Sequence, residues 1–302
     1  TLSRPVDPSG KETDWNDVAD LNYDSREMRA AMIGEMKWWL ERTGIDGFRC
    51  DVAGFVPYDF WADAKSALSK VRPDLFMLAE WEDPKLHPTF DMTYGWELFH
   101  LLNDVASGKK KASDIDAHFT GFESKFPSGA YRMNFTSNHD ENSWNGTEFE
   151  RMGANHLTAY VIAATTKNAM PLLYSGQEAS FKRRLAFFEK DSIDWTGPSL
   201  APFYTRLFEL RRTRDVLWSG DAGAPQLRLA TDNTDKVYAF ARARDGKSVV
   251  VVANFGTAPL AVKYTGLSVT GDYIDWFSNA RMSLAADGTI NVPANGYRIL
   301  VK

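Results

Sequence analysis

Gly47-Phe48-Arg49-Cys50-Asp51, Met77-Leu78-Ala79-Glu80-Trp81 and Phe135-Thr136-Ser137-Asn138-His139-Asp140 decide the reading of this chain. Each stretch runs from apolar, strand-like residues into an abrupt acidic residue. Barrel enzymes present catalytic groups in this way, at the carboxyl ends of parallel strands. Asp51, Glu80 and Asp140 are therefore expected to act in one pocket.

Working outward, Asp24-Ser25-Arg26-Glu27 is expected to form a capping box with Asp24 as N-cap. Met28, Met32, Met36 and Leu40 then recur every four residues until Gly44 stops the helix. A strand is expected over 45–53. Pro57 opens a second helix with Trp61, Ala64, Leu68 and Val71 on one face, ended by Arg72-Pro73. The alternation repeats, with strands over 75–81, 90–94, 131–136 and 170–174 and helices near 96–106, 113–126, 153–167 and 201–214. Such βα alternation predicts a parallel sheet clothed by helices. The five βα units fall short of the eight that close a (β/α)8 TIM barrel.

After about residue 219 the texture changes to short β-rich runs over 237–242, 248–255, 261–264, 273–276, 289–292 and 297–301. Asp245-Gly246 and Asp287-Gly288 mark turns between them. The fold expected is thus α/β: an incomplete barrel over 23–219 followed by a small antiparallel β-sandwich over 220–302, with 1–22 as a preceding loop segment.

Composition narrows the function. Forty acidic and thirty-five basic residues give a net charge of −5, with no long basic run, so nucleic acid is not an expected partner. The run at 109–111 reads as a solvated loop. No apolar run reaches the length of a membrane span, and any export signal would lie upstream of Thr1, so the compartment is left open. Aromatics make up 13% of the chain, with ten Trp, and several fall beside the acidic motifs where a sugar ring could stack. The single cysteine, Cys50, adjoins Asp51 on a strand, so its thiol should face the helix layer while Asp51 faces the pocket.

At these segments the chain resembles the α-amylase family of glycoside hydrolases, (β/α)8 barrels with a C-terminal β-sandwich. Gly47-Phe48-Arg49-Cys50-Asp51-Val52-Ala53 is similar to the fourth-strand motif, which implies Asp51 as nucleophile and Arg49 as the cation that orients it and favours its ionised form. Leu78-Ala79-Glu80-Trp81 is similar to the fifth-strand motif and implies Glu80 as general acid and base, with Trp81 as a substrate neighbour. Asn138-His139-Asp140 is similar to the seventh-strand motif. It implies Asp140 as transition-state stabiliser and Asn138 and His139 as substrate-binding residues. Ala19-Asp20-Leu21-Asn22 and Pro171-Leu172-Leu173-Tyr174-Ser175-Gly176-Gln177-Glu178 resemble the end of an inserted domain and the eighth strand.

A retaining glycosidase needs one ionised carboxylate to attack the anomeric carbon and one protonated carboxyl to release the leaving oxygen, about 5 Å apart. The alternative for each acid is a surface ion pair or a helix cap. The resemblance implies hydrolysis of α-1,4 bonds in starch, glycogen or maltooligosaccharides, with an α-glucosidase or transglycosylase, or a noncatalytic carbohydrate-binding fragment, as alternatives. The family's Asp and Asn-His motif on the third strand is absent from these residues. The chain accordingly reads as the C-terminal part of an enzyme whose N-terminal half-barrel would be its partner. Relatives carry Lys-His three and four residues after the nucleophile, where this chain has Gly54 and Phe55. No cofactor is expected for the chemistry, and Asp20 is the sole candidate ligand for a structural Ca2+.

Overall fold

The computed structural model describes residues 3–302, so Thr1 and Leu2 of the expected 1–22 segment lie outside the described residues. The chain divides into two compact units, one ending at Tyr94 and the other spanning Gly95–Lys302. The expected junction at 219/220 lies inside the second unit.

In the first unit, helix α1 (Arg26–Thr43) leads into strand β1 (Gly47–Cys50), helix α2 (Tyr58–Leu68), strand β2 (Phe76–Ala79) and strand β3 (Met92–Tyr94). The N-cap of α1 is Ser25, whose Oγ accepts the N–H of Met28 at 3.2 Å, so the helix begins one turn position later than a cap at Asp24 predicts. Gly44 ends it in the left-handed region, at φ 70°. Met32 and Met36 half-bury and Leu40 fully buries against a cluster with Phe60, Trp61, Ala64, Leu68, Met77 and Ala79. Val71, expected on the same face as Trp61, lies exposed beyond the end of α2. The strands pair in parallel, β1 with β2 and β2 with β3.

Cys50 is buried in this cluster, and burial pushes its thiol up to about 12. Strand alternation sends it to the face opposite Arg49. Cys50→Ser is therefore expected to lower the melting temperature, by about 1–3 kcal/mol of stability, because a hydroxyl would be buried without an assured partner. Activity per folded molecule should hold, and a fall in turnover at unchanged melting temperature would contradict this placement.

The second unit supplies two further parallel strands, β4 (Tyr131–Asn134) and β5 (Ala169–Pro171), paired through Arg132 and Ala169. Helix α3 (Trp96–Ala106) and the short α4 (Asp114–Ala117) precede β4, and the short α5 (Glu148–Met152) and α6 (His156–Thr165) lie between β4 and β5. Helix α7 (Ala201–Thr213) follows β5. The long helix expected over 113–126 is instead a chain of short pieces, with a π-turn over His118–Phe122. Helix α6 is buried on every side from Thr158 to Thr165, which explains its lack of an amphipathic pattern.

The antiparallel domain follows: β6 (Gln226–Arg228), β7 (Ala230–Thr231), β8 (Val237–Arg244), β9 (Lys247–Asn254), β10 (Leu260–Thr265), β11 (Gly271–Asp275), β12 (Arg281–Leu284), β13 (Gly288–Val292) and β14 (Gly296–Val301). One sheet runs β12-β11-β14-β9-β8-β6 and the other β13-β10-β7. Ala239, Val250 and Val252 of the larger sheet share a core with Val262, Tyr264 and Ile290 of the smaller. The sandwich is thus as expected, with β6, β7 and β12 added. Those three are short, and their half-exposed side chains carry little alternation. Arg242 of β8 is fully buried and donates to the carbonyls of Thr165, Thr166, Trp218 and Ala224. It ties the sheet to the end of α6. No helix among the described residues is long and apolar enough to cross a membrane.

Candidate active site

In the first unit the β1–β2 register pairs Arg49 with Leu78 and Cys50 with Ala79. The two strands end in step, so Asp51 and Glu80, the next residues of each, emerge side by side. Arg49 joins them. Its Nη1 donates to Asp51 Oδ1, its Nη2 donates to Glu80 Oε1 at 2.6 Å, and its Nε donates to the Tyr94 hydroxyl at 3.2 Å. Tyr94 was not among the residues singled out from sequence. Its one legible signal was position, at the end of a strand as the acids are at the ends of theirs.

The two carboxylates sit in different surroundings. The Asp51 side chain is 70% exposed, whereas that of Glu80 is 12% exposed. Burial pushes the Glu80 carboxyl up to about 7; the N–H of Val52, donating to Oε2 at 2.9 Å, and the Arg49 cation pull it down, and the Asp51 charge pushes it up again. Val52 reaches that oxygen from the left-handed region, at φ 42°. A β-branched residue there is strained by about 1–3 kcal/mol, a cost met mostly at functional sites. For Arg49, burial lowers the pKa, but the Tyr94 hydrogen bond and the Glu80 charge outweigh it and raise the pKa overall.

Trp81 packs over Gly54, where a Cβ would come within 2.2 Å of the indole. Phe55 meets Trp81 edge to face at 5.5 Å and stacks on Trp15 at 5.4 Å. The departure from Lys-His at 54–55 therefore has a packing reason: the indole occupies the space of any side chain at 54. Asp20 is an exposed side chain in the loop before α1. One such carboxylate does not fit a calcium site of six or more oxygens.

In the second unit, the chain runs on beyond the end of β4 through Phe135 to Asn138, all buried, before it turns outward at His139. Gln177 Nε2 donates to Thr136 Oγ1 at 3.1 Å and Arg151 Nη2 to the Thr136 carbonyl at 2.7 Å, fixing the strand end. His139 Nε2 lies 3.4 Å from Asp140 Oδ2, with His139 exposed and Asp140 half-buried. Asn138, grouped on sequence with the substrate-binding residues, is fully buried, and its Oδ1 accepts the N–H of Glu141 at 2.8 Å. That geometry gives it a part in holding the loop beneath His139 and Asp140. Tyr174, raised in pKa by burial and then by the Asp140 charge, lines a cavity of about 430 Å³ together with His139, Ser143, Phe187, Asp191 and Trp195. The other histidines are engaged elsewhere. His87 shares a hydrogen bond with Thr93 at 3.1 Å, His100 stacks on Trp96, His118 is buried between Phe119 and Phe122, and His156 packs on Phe149.

The sequence profile described as "Alpha amylase, catalytic domain" matches residues 12–196, and that described as "Alpha amylase, C-terminal all-beta domain" matches 229–301. The chain belongs to the α-amylase family. It is 28% identical over 294 residues to Alpha-amylase MalA of Haloarcula japonica, across 95% of this chain and 42% of that protein. It is 23% identical over 270 residues to an intracellular maltogenic amylase of Bacillus subtilis, across 84% of this chain and 44% of that one. The chain thus spans less than half the length of these curated relatives. Among solved structures, a maltogenic α-amylase from Thermotoga neapolitana superposes with a TM-score of 0.83 at 25% identity, over 98% of this chain and 70% of the other.

Proposed function

We propose that this α-amylase family chain carries the catalytic acids of a retaining α-glucan hydrolase acting on α-1,4 bonds of starch, glycogen or maltooligosaccharides. The observation that carries the reading is one guanidinium, Arg49, holding an exposed Asp51 and a sunken Glu80 on adjacent strand ends. Two carboxyls bridged by one cation suit the short spacing of a retaining site, about 5 Å, better than the wider gap that must admit a water in an inverting one.

Glu80, raised to about 7, is the acid. Its proton goes to the glycosidic oxygen as Asp51 attacks the anomeric carbon; the old C–O bond breaks and a glycosyl ester on Asp51 forms. Glu80, now a carboxylate, takes a proton from the water that attacks the same carbon. The ester bond to Asp51 then breaks, and both groups return to their starting states. Asp140 stabilises the positive charge that builds on the ring, His139 contacts a sugar hydroxyl, and Asn138 positions the loop that carries both. Trp81, half-buried against Gly54 and Phe55, is the apolar neighbour of the sugar.

Product analysis on maltoheptaose with the full-length protein tests the reading. Internal cuts are expected; glucose released alone, or longer transfer products, would support an α-glucosidase or transglycosylase, and binding without cleavage a carbohydrate-binding role. A second test uses Arg49→Met. The Arg49 cation lowers the Glu80 pKa, so its removal should carry that pKa above about 7 and move the alkaline limb of kcat/KM to higher pH, while kcat falls. An unmoved limb would separate Arg49 from Glu80 in function.

A further inference from the structure

Four large aromatic side chains stand open to solvent in the second unit, Phe187 (40% exposed) and Trp195 (57%) lining one cavity and Trp144 (56%) and Phe188 (69%) packed against Phe187. Clustered exposure of this kind marks binding surfaces, because apolar area left in water must otherwise be offset elsewhere. The rings touch. Phe187 lies 5.0 Å from Trp144 and 4.9 Å from Phe188, centroid to centroid, and Trp144 lies 6.1 Å from Phe188. Phe187 also stacks on His139, at 6.4 Å with 17° between the planes, so the cluster is continuous with the His139–Asp140 pair.

The loop bearing Phe187 and Phe188 is held by polar contacts. Asp191 accepts two hydrogen bonds from Arg183 at 2.8 Å each, and the N–H groups of Ala186 and Ser192 at 2.8 and 2.7 Å. Leu185 N–H donates to Asn142 Oδ1 at 2.8 Å, and Arg184 pairs with Glu150 at 3.1 Å. The rings are therefore displayed on a fastened loop, which lowers the entropy lost when a ligand settles on them. The adjoining cavity of about 430 Å³ is lined by Phe187 and Trp195 of these rings, together with Ser143, Tyr174 and Glu189. Flat apolar faces beside hydroxyl and carboxylate groups match a pyranose, with its apolar ring face and equatorial hydroxyls.

We propose that Trp144, Phe187, Phe188 and Trp195 form a platform that binds a glucosyl unit of an α-glucan chain outside the unit being cleaved. The proposal rests on the glucan reading of the site and adds residues that this reading does not use. It makes the affinity for long chains depend on rings that the chemistry does not need.

The test is calorimetric titration of maltoheptaose into the full-length protein carrying Glu80→Gln, which prevents turnover, with Phe188→Ala, Trp195→Ala or both added. Each alanine is expected to weaken binding between about twofold and tenfold, and the pair by more than about tenfold, the worth of stacked-ring contacts. Melting temperatures should stay unchanged, since both side chains are exposed. Phe188→Tyr and Trp195→Phe keep a ring and should restore most of the affinity; failure to restore it would overturn the stacking claim. If the double alanine protein binds maltoheptaose as tightly as its parent, the platform is overturned while the hydrolase reading stands. If the folded parent itself binds no maltoheptaose, the hydrolase reading falls, and the platform with it.

Discussion

Glu80→Gln in the full-length protein is expected to reduce turnover of natural glucan by about 10²–10⁴-fold, the usual worth of a positioned general acid. The loss should be far smaller for release of an activated phenol from an aryl maltoside, because such a leaving group departs without a proton. Azide, a nucleophile that needs no general base, should restore the second step for that substrate by replacing water. The alkaline limb of kcat/KM near pH 7 should vanish as well, since the group raised to about 7 is gone. The sign follows from the role. An acid must hold its proton, so activity is expected below about pH 7 and lost as the pH rises through it. Equal loss on both substrates, or an alkaline limb that survives the substitution, would remove Glu80 from the acid's place.

Asp51→Asn is expected to cost more, on the order of 10⁴-fold, and on every substrate alike, because no glycosyl ester can form whatever the leaving group. The exposed carboxylate held by Arg49 is the group expected to be trapped. A fluorinated glycosyl donor slows breakdown of the ester, and mass spectrometry of the digested protein should find the added sugar on the peptide containing Asp51. A label on Glu80 or Asp140 would overturn the assignment. The substitution also removes the Asp51 charge that helps to raise Glu80, so any residual alkaline limb should move to lower pH.

The order of barrel-type strands and the antiparallel domain were legible in the sequence because both depend on short-range pattern. Apolar runs of four to eight residues ending in Asp51 or Glu80, and β-rich runs broken by Asp-Gly, need no distant partner to be recognised. The pocket-facing acid and helix-facing thiol expected at 50–51 follow from the twofold alternation of a strand, and Cys50 is buried in a cluster with Phe60 and Trp61 of α2. Element boundaries were less legible. The strand expected over 45–53 stops at Cys50, because the left-handed Val52 turns the chain into the 3-10 turn at Ala53–Phe55. Likewise Ser25 and Asp24 are both good caps, and only the helix geometry chose Ser25.

By itself, then, the sequence determined the family, the kind of layers and the two acids that close adjacent strands. Tertiary structure alone decided how those acids differ. Glu80 is raised by the protein packed around it and by the Asp51 carboxylate, and held down by the N–H of strained Val52 and by the Arg49 cation, and such effects sum over space rather than along the chain. The same reason hid the burial of Asn138, the part of Tyr94, and the aromatic cluster, whose members are spread from Trp144 to Trp195. Propensity is read within a few residues, whereas desolvation and ring contact are set by whichever groups the fold brings near.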